Sequence, residues 1–298
     1  MRRFGGATMG TSWSAAIVDP PHGVERMIAA TLDDIVGQMS HWQPSSQLSR
    51  FNAAAAGGWH RIAPEFAEVM TAALDIAARS GGAFDPAIGA AVDLWGFGPP
   101  GPRHGIPSDA EIAAALAASG HDAVEFDPLL LRLRRTRPAR LDLSGIAKGY
   151  AVDAVAAILR ALGCRDFLVE IGGELTGAGI QPDGQPWWVD VEAPPGIAML
   201  PLRVALHGLA IATSGDYRRT SAQGSHTIDP RTGRPSANGV ASVSVLHASC
   251  MLADAWASAL TVLGPEAGMA LAGREGLAAH VLTPSGERLS PALQALLD

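Results

Sequence analysis

The sequence predicts an α+β fold: a single compact domain of mixed, largely antiparallel sheets with packed helices. Three observations lead there. Apolar residues recur every second position in short segments and every third or fourth in longer ones, the two kinds of segment are intermixed without regular βαβ alternation, and hairpin-rich stretches precede long helical ones. With 298 residues, 48% of them hydrophobic and 17% charged, the chain can bury a large core, which excludes a disordered polyelectrolyte. It has no solenoid-period repeat and no low-complexity linker beyond the alanine run at 53–56, so residues 1–298 are read as one domain.

Alternation at 11–18 predicts a strand, and Met27, Ile28, Leu32, Ile35, Val36 and Met39 predict a helix over 24–39. A turn-rich segment at 43–58 follows. Phe66, Val69, Met70, Ala73, Leu74 and Ala77 mark a second amphipathic helix, stopped by Ser80-Gly81-Gly82. Residues 84–105, rich in proline and glycine, read as an irregular rigid loop or cleft wall. Ser108 caps a short helix to Ser119, and 124–126, 129–133 and 140–143 read as strands in hairpin order. A long helix begins near Gly145, ends at Gly163, and leads into a buried strand at 167–171. Strands are expected at 187–191, 202–206, 209–213, 226–228 and 240–246, then a helix at 250–263, a strand at 278–282 and a last helix at 291–297.

Twenty-two Lys and Arg against 29 Asp and Glu give a net charge of −7, without the cation excess that neutralises a nucleic-acid backbone. The two cysteines, Cys164 and Cys250, lack metal-ligand spacing and allow at most one bridge. No apolar run is long enough to cross a membrane, and residues 1–10 lack a secretory apolar segment. The chain as it stands reads as soluble and cytoplasmic; a periplasmic or membrane-anchored location would require an upstream signal missing from this sequence.

Three segments carry chemistry. Residues 141–150 place Asp142 at a strand end, Gly145 at a turn and Lys148 in a first helical turn, the outline of an anion site; the ordinary alternative is a capping aspartate and a solvated lysine. Asp254 and Ser258 lie one turn apart on the 250–263 helix as hard oxygen donors suited to Mg²⁺, or else belong to a solvated polar stripe. In 225–233, His226 can act as a base if a hydroxyl lies within reach, although lone histidines are commonly structural. Segments 84–89 and 213–217 put small and aromatic residues where a planar ring can lodge, or are turn chemistry.

Taken in order, Met9-Gly10-Thr11, Leu48-Ser49-Arg50-Phe51-Asn52, Phe84-Asp85-Pro86 with Leu94-Trp95-Gly96-Phe97-Gly98, residues 142–150, Glu170-Ile171-Gly172-Gly173-Glu174, Ser214-Gly215-Asp216-Tyr217, residues 226–233 and Ala253-Asp254-Ala255 resemble the FAD:protein FMN transferase (ApbE) family. The resemblance covers nearly the whole chain. It implies a Mg²⁺-dependent transferase that moves FMN from FAD through a phosphodiester bond onto a Ser or Thr of a target flavoprotein and releases AMP. It further implies that Met9, Trp42, Ala83, Phe84, Asp85, Asp142, Lys148 and Ile228 line the FAD site, and that the Gly145 carbonyl, Asp254 and Ser258 hold the metal, with Mn²⁺ an alternative ion. The family more often has threonine at Ser258 and tyrosine at Trp42; serine keeps the ligating oxygen and tryptophan the flat face. The mechanism expected is in-line displacement, with Mg²⁺, Lys148 and the helix start neutralising charge and His226, or else Asp142 or a metal-bound group, taking the acceptor's proton. Two other readings use the same residues: a FAD pyrophosphatase giving FMN and AMP, and a flavin-binding protein without turnover.

Overall fold

The computed structural model describes residues 1–197, 199, 201–215 and 225–297. The chain divides into two compact units: Met1–Asp34, Ile146–Tyr217 and Gly239–Asp298 form the first, Ile35–Gly145 and Arg218–Asn238 the second. The architecture is α+β with antiparallel sheets, as expected.

The first unit opens with a hairpin, β1 (Arg2–Thr8) and β2 (Thr11–Ile17), turned at Met9 and Gly10, both at positive φ (49° and 73°). Such turns match the right-handed twist of the strands they join. Strand β1 is absent from the sequence expectation because Arg2, Arg3 and two glycines give it no apolar alternation. Helix α1 (Val24–Met39) follows over the expected residues.

In the second unit, α2 (Gln47–Ala53) lies inside the expected turn-rich segment, nucleated by Ser46 accepting from the Ser49 N–H at 2.9 Å. Then come β3 (His60–Arg61), α3 (Pro64–Arg79), α4 (Gly89–Leu94) and α5 (Asp109–Ala117). Helix α4 interrupts the loop expected to be irregular. Ser108 and Glu111 cap α5 reciprocally. A 3₁₀ turn, His121–Ala123, leads into β4 (Val124–Asp127) and β5 (Arg132–Arg135), which join β3 in a three-stranded sheet. The strand expected at 129–133 is displaced: the Asp127 carboxylate accepts from Leu130 N–H and forms a turn, leaving Leu129 and Leu130 exposed. Residues 140–143 make only an isolated bridge, Arg140 to Ile88.

Back in the first unit come α6 (Ala147–Ala161), β6 (Phe167–Ile171), β7 (Glu174–Ala178), β8 (Trp187–Asp190), β9 (Arg203–Leu206) and β10 (Leu209–Gly215). The second unit contributes a short ribbon, β11 (Ile228–Asp229) with β12 (Arg234–Pro235), so the strand expected at 226–228 starts two residues late. The first unit ends with β13 (Ser242–His247), α7 (Cys250–Leu263), α8 (Pro265–Glu275), β14 (Ala278–Thr283), β15 (Gly286–Leu289) and α9 (Pro291–Leu297). Both cysteines are buried free thiols, so the allowed bridge does not form.

Eight strands build the first unit's main sheet in the order β1-β2-β6-β7-β10-β13-β14-β15. Ile211 and its cross-strand partner Leu246 face an apolar cluster with Trp187, Val204, Leu206 and Leu293. By the two-residue alternation, Val243 and Val245 face the other way. Helix α7 packs against β10, β13 and α6, and its Trp256 is buried.

The junction of α6 and α7 is unusually close. A Cβ on Gly149 would sit 2.3 Å from the Cys250 carbonyl oxygen and 2.8 Å from the Met251 Cα. Each helix also caps the other. From α6, Asp153 accepts from Ser249 Oγ at 2.7 Å and from the N–H groups of Cys250 and Met251 at 3.0 Å. From α7, Asp254 accepts the Gly149 N–H at 3.1 Å. Carboxylates at helix starts satisfy free donors and oppose the helix dipole. We expect Gly149→Ala to force the helices apart and cost about 1–3 kcal/mol, the usual range for overpacking, measured as a lowered urea midpoint with an unchanged slope.

Candidate active site

In the first unit the helix clasp brings Asp254 together with Lys148. Lys148 Nζ donates to Glu174 Oε1 at the start of β7. Glu174 is buried, and its Oε2 finds no hydrogen-bond partner among the described residues. Burial pushes the Glu174 carboxyl up to about 7, reinforced by the charge of Asp254 and opposed by Lys148. Burial also raises Asp254, against the opposing pull of Lys148 and the Gly149 N–H. Burial pulls Lys148 down, but the two carboxylates more than offset it, so its ammonium persists.

This settles two alternatives left open by the sequence. Asp254 is only 5% exposed, so it belongs to no solvated stripe, while Ser258, one turn on, is half-buried. Lys148 is paired rather than solvated. Asp142 caps no helix: its Oδ1 accepts from Ser144 N–H at 2.8 Å, forming a turn, and the residue preceding α6, Ile146, supplies no side-chain cap.

No group of three or more His, Cys, Asp or Glu side chains gathers for a metal among the described residues. The donors present nevertheless fit a hard cation. Two buried carboxylates face one ammonium, Glu174 keeps an unsatisfied anionic oxygen, and Asp254 and Ser258 offer oxygen one helical turn apart. Mg²⁺ typically takes one or two carboxylates and fills its remaining positions with waters and substrate phosphates. Within this unit Asp254 and Ser258 could hold such an ion; Gly145 belongs to the second unit. Met9, also in this unit, stands at the β1-β2 turn.

In the second unit, Asp142 is buried, its N–H donates to the Pro86 carbonyl at 2.8 Å, and His41 Nδ1 lies 3.4 Å from its Oδ1. Asn52 fixes the neighbouring residue from both sides, donating to the Leu141 carbonyl and accepting its N–H, each at 2.8 Å. His41, Asn52, Asp93, Arg140 and Asp142 line a small recess. Arg140 Nε lies 3.0 Å from Asp93 Oδ2, and burial, more than any charge, raises the Asp93 carboxyl. Trp42 is 58% exposed with its ring 5.5 Å from that of His41, a flat apolar face open for stacking.

Ala83, Phe84 and Asp85 are all buried. Both oxygens of Asp85 are engaged, Oδ1 by the Ala87 N–H and Oδ2 by the N–H and Nδ1 of His121 at 2.9 Å. This carboxylate therefore shapes its loop and ties it to His121. Ile228 is buried with Ala91, Trp95 and Ile112. His226 precedes β11, partly buried and edge-on to the Phe97 ring at 6.4 Å. Asp216 and Tyr217 lie outside the described residues.

Asp153, Glu174, Asn52, His41 and His121 carry no role in the sequence reading. Glu174 and Asn52 sit inside quoted motifs, but nothing local announces their long-range partners at 148 and 141.

The model of the ApbE family matches residues 9–281, through both units. Two similar relatives are named FAD:protein FMN transferase. One, from Vibrio cholerae, is 38% identical over 279 residues, 90% of this chain and 83% of the relative. The other, from Escherichia coli K12, is 34% identical over 308 residues, 98% of this chain and 88% of the relative. Among solved structures, the apo flavinyl transferase ApbE of Pseudomonas stutzeri is similar with a TM-score of 0.91 at 38% identity, covering 99% of this chain and 96% of that one. The flavin transferase ApbE of Vibrio cholerae gives 0.92 at 34% identity, covering 99% and 98%. This chain belongs to the ApbE family.

The Asp85–His121 pair has a pH signature. Bonding to Asp85 raises the His121 pKa above its ordinary 6.5, with Asp122 adding to it and burial opposing. The stabilisation is therefore complete below pH 6.5 and is lost as pH rises through the folded value. Thermal melts from pH 5.5 to 9 should show wild type losing stability relative to His121→Asn over that upper interval.

Proposed function

We propose that this ApbE-family chain is a Mg²⁺-dependent FAD:protein FMN transferase that acts as one domain over residues 1–298. It joins FMN through a phosphodiester bond to a Ser or Thr hydroxyl of a target flavoprotein and releases AMP. The observation that carries the reading is the buried cluster of Lys148, Glu174 and Asp254 at the start of α6, an excess of anionic oxygen beside one fixed ammonium.

The chemistry demands charge control, because negative charge grows on the leaving phosphate as the bond to AMP breaks. Mg²⁺ bound by Asp254, Ser258 and the Gly145 carbonyl would supply Lewis-acid neutralisation of the diphosphate. Lys148 binds and orients the diphosphate with a point charge. Trp42 stacks on a planar ring, while Met9, the backbone of Ala83, Phe84 and Asp85, Asp142 and Ile228 bound the FAD. His226 takes the acceptor hydroxyl's proton, so the alkoxide develops only as phosphorus is attacked; Asp142, held by His41 and Ser144, is the alternative base.

With water as acceptor the same groups would hydrolyse FAD to FMN and AMP, and a protein that binds flavin without turnover would release no AMP. Incubation with FAD, Mg²⁺ and a threonine-bearing flavoprotein target should increase the target's mass by one FMN residue. Free FMN with an unmodified target would favour hydrolysis. Asp254→Asn keeps shape but removes the anionic oxygen, and we expect transfer to fall by at least 10²-fold with the circular dichroism unchanged, consistent with the loss of a major electrostatic contributor. Undiminished transfer at ordinary Mg²⁺ would remove Asp254 from the site.

A further inference from the structure

The proposed chemistry leaves one buried charge without a task. Glu174 holds Lys148 through Oε1, and its Oε2 is buried with no hydrogen-bond partner among the described residues. Leaving such an oxygen unsatisfied is costly, and a structural ion pair would ordinarily engage both. Its position at the start of β7, against the first turn of α6, puts it where it competes with any anion for the same ammonium.

We infer that Glu174 is a positioning residue that occupies Lys148 until a divalent cation arrives, and so makes diphosphate binding depend on the cation. The inference rests on the proposed function. Lys148, Glu174 and Asp254 together carry one positive and two negative charges when ionised, a surplus that repels a diphosphate and attracts a divalent ion. With the ion bound, the surplus changes sign. Glu174 would then have a cation to offset its charge, so its hold on Lys148 would weaken and the ammonium would be available to phosphate. Asp153 takes no part, since its oxygens are spent on the start of α7. The Cys250 thiol remains neutral because burial and the nearby carboxylates push it well above its ordinary value.

A purely structural Glu174 predicts that its loss weakens everything; the competition model predicts opposite signs for two ligands. FAD binding would be followed by flavin fluorescence at pH 8, above the value of about 7 to which Glu174 is pushed, using protein stripped of metal and then titrated with Mg²⁺. Wild type should bind FAD weakly without Mg²⁺ and at least tenfold more tightly with it. In Glu174→Gln, metal-free FAD affinity should rise about fivefold, while the Mg²⁺ concentration for half-maximal FAD binding rises by a similar factor. Glu174→Ala, also neutral, should shift both in the same directions. Should neither variant fold, wild type carries the test: acetylation of Lys148, read by peptide mass spectrometry, should speed up several-fold on adding Mg²⁺ without FAD. Neutral variants that bind metal-free FAD no more tightly than wild type, or a Lys148 indifferent to Mg²⁺, would overturn the inference alone. A wild type that binds FAD in neither condition would overturn the proposed function, and this inference with it.

Discussion

The reciprocal capping of α6 and α7 is the constraint on which the first unit's chemistry depends. Two helices with apolar faces could pack at many offsets, but here each supplies the carboxylate that satisfies the other's first turn, and Gly149 removes the side chain that would hold them apart. The geometry is thus fixed by three directional bonds accepted by Asp153 and one accepted by Asp254, each charge-assisted and stronger than a neutral bond. Asp254 gains a defined orientation, and Lys148 is brought beside it because Gly149 is its neighbour in sequence. Packing and electrostatics act here through the same few atoms.

The arrangement is also costly, which is informative. Burial disfavours ionisation of both Glu174 and Asp254, and a fold selected for stability alone would fill this space with aliphatic side chains. Most of the surrounding residues are aliphatic or small: Ala151, Val152, Ala253 and Ala255 are all buried. Against that background, three charged groups gathered at one helix start are the exception, and the proposed function rests on them. The second unit treats its charges differently. Asp85 has both oxygens committed, one to the Ala87 N–H of its own loop and one to His121, and Asp142 is held by a turn, a main-chain bond and a histidine.

Long amphipathic helices were legible because their periodicity is local: α1 and α3 cover the apolar positions that announce them. Strands β6 and β14 were likewise visible as apolar runs. Strand β1 was not, since an exposed edge needs no apolar face, and α2 and α4 were hidden by the polar and glycine-rich residues that flank them. The run at 129–133 misleads because its hydrophobicity predicts burial, whereas Asp127 turns the chain before it can pair. In the candidate site, order and motif pointed to Asp142, Lys148 and Asp254, but spacing could not distinguish a solvated stripe from a buried carboxylate. That distinction arises from the Gly149 contact, between residues more than a hundred positions apart.

The main sheet ends on β1 at one side and β15 at the other. β1 begins with two arginines and carries adjacent glycines, whereas β15 is four residues long and presents Glu287 and Arg288, the latter tied to Glu266 at 2.7 Å. Short length and charge are the features that deter a strand of another molecule from adding to an open ladder. Both borders of the sheet are therefore poor templates for a further strand, and its apolar interior ends in polar margins.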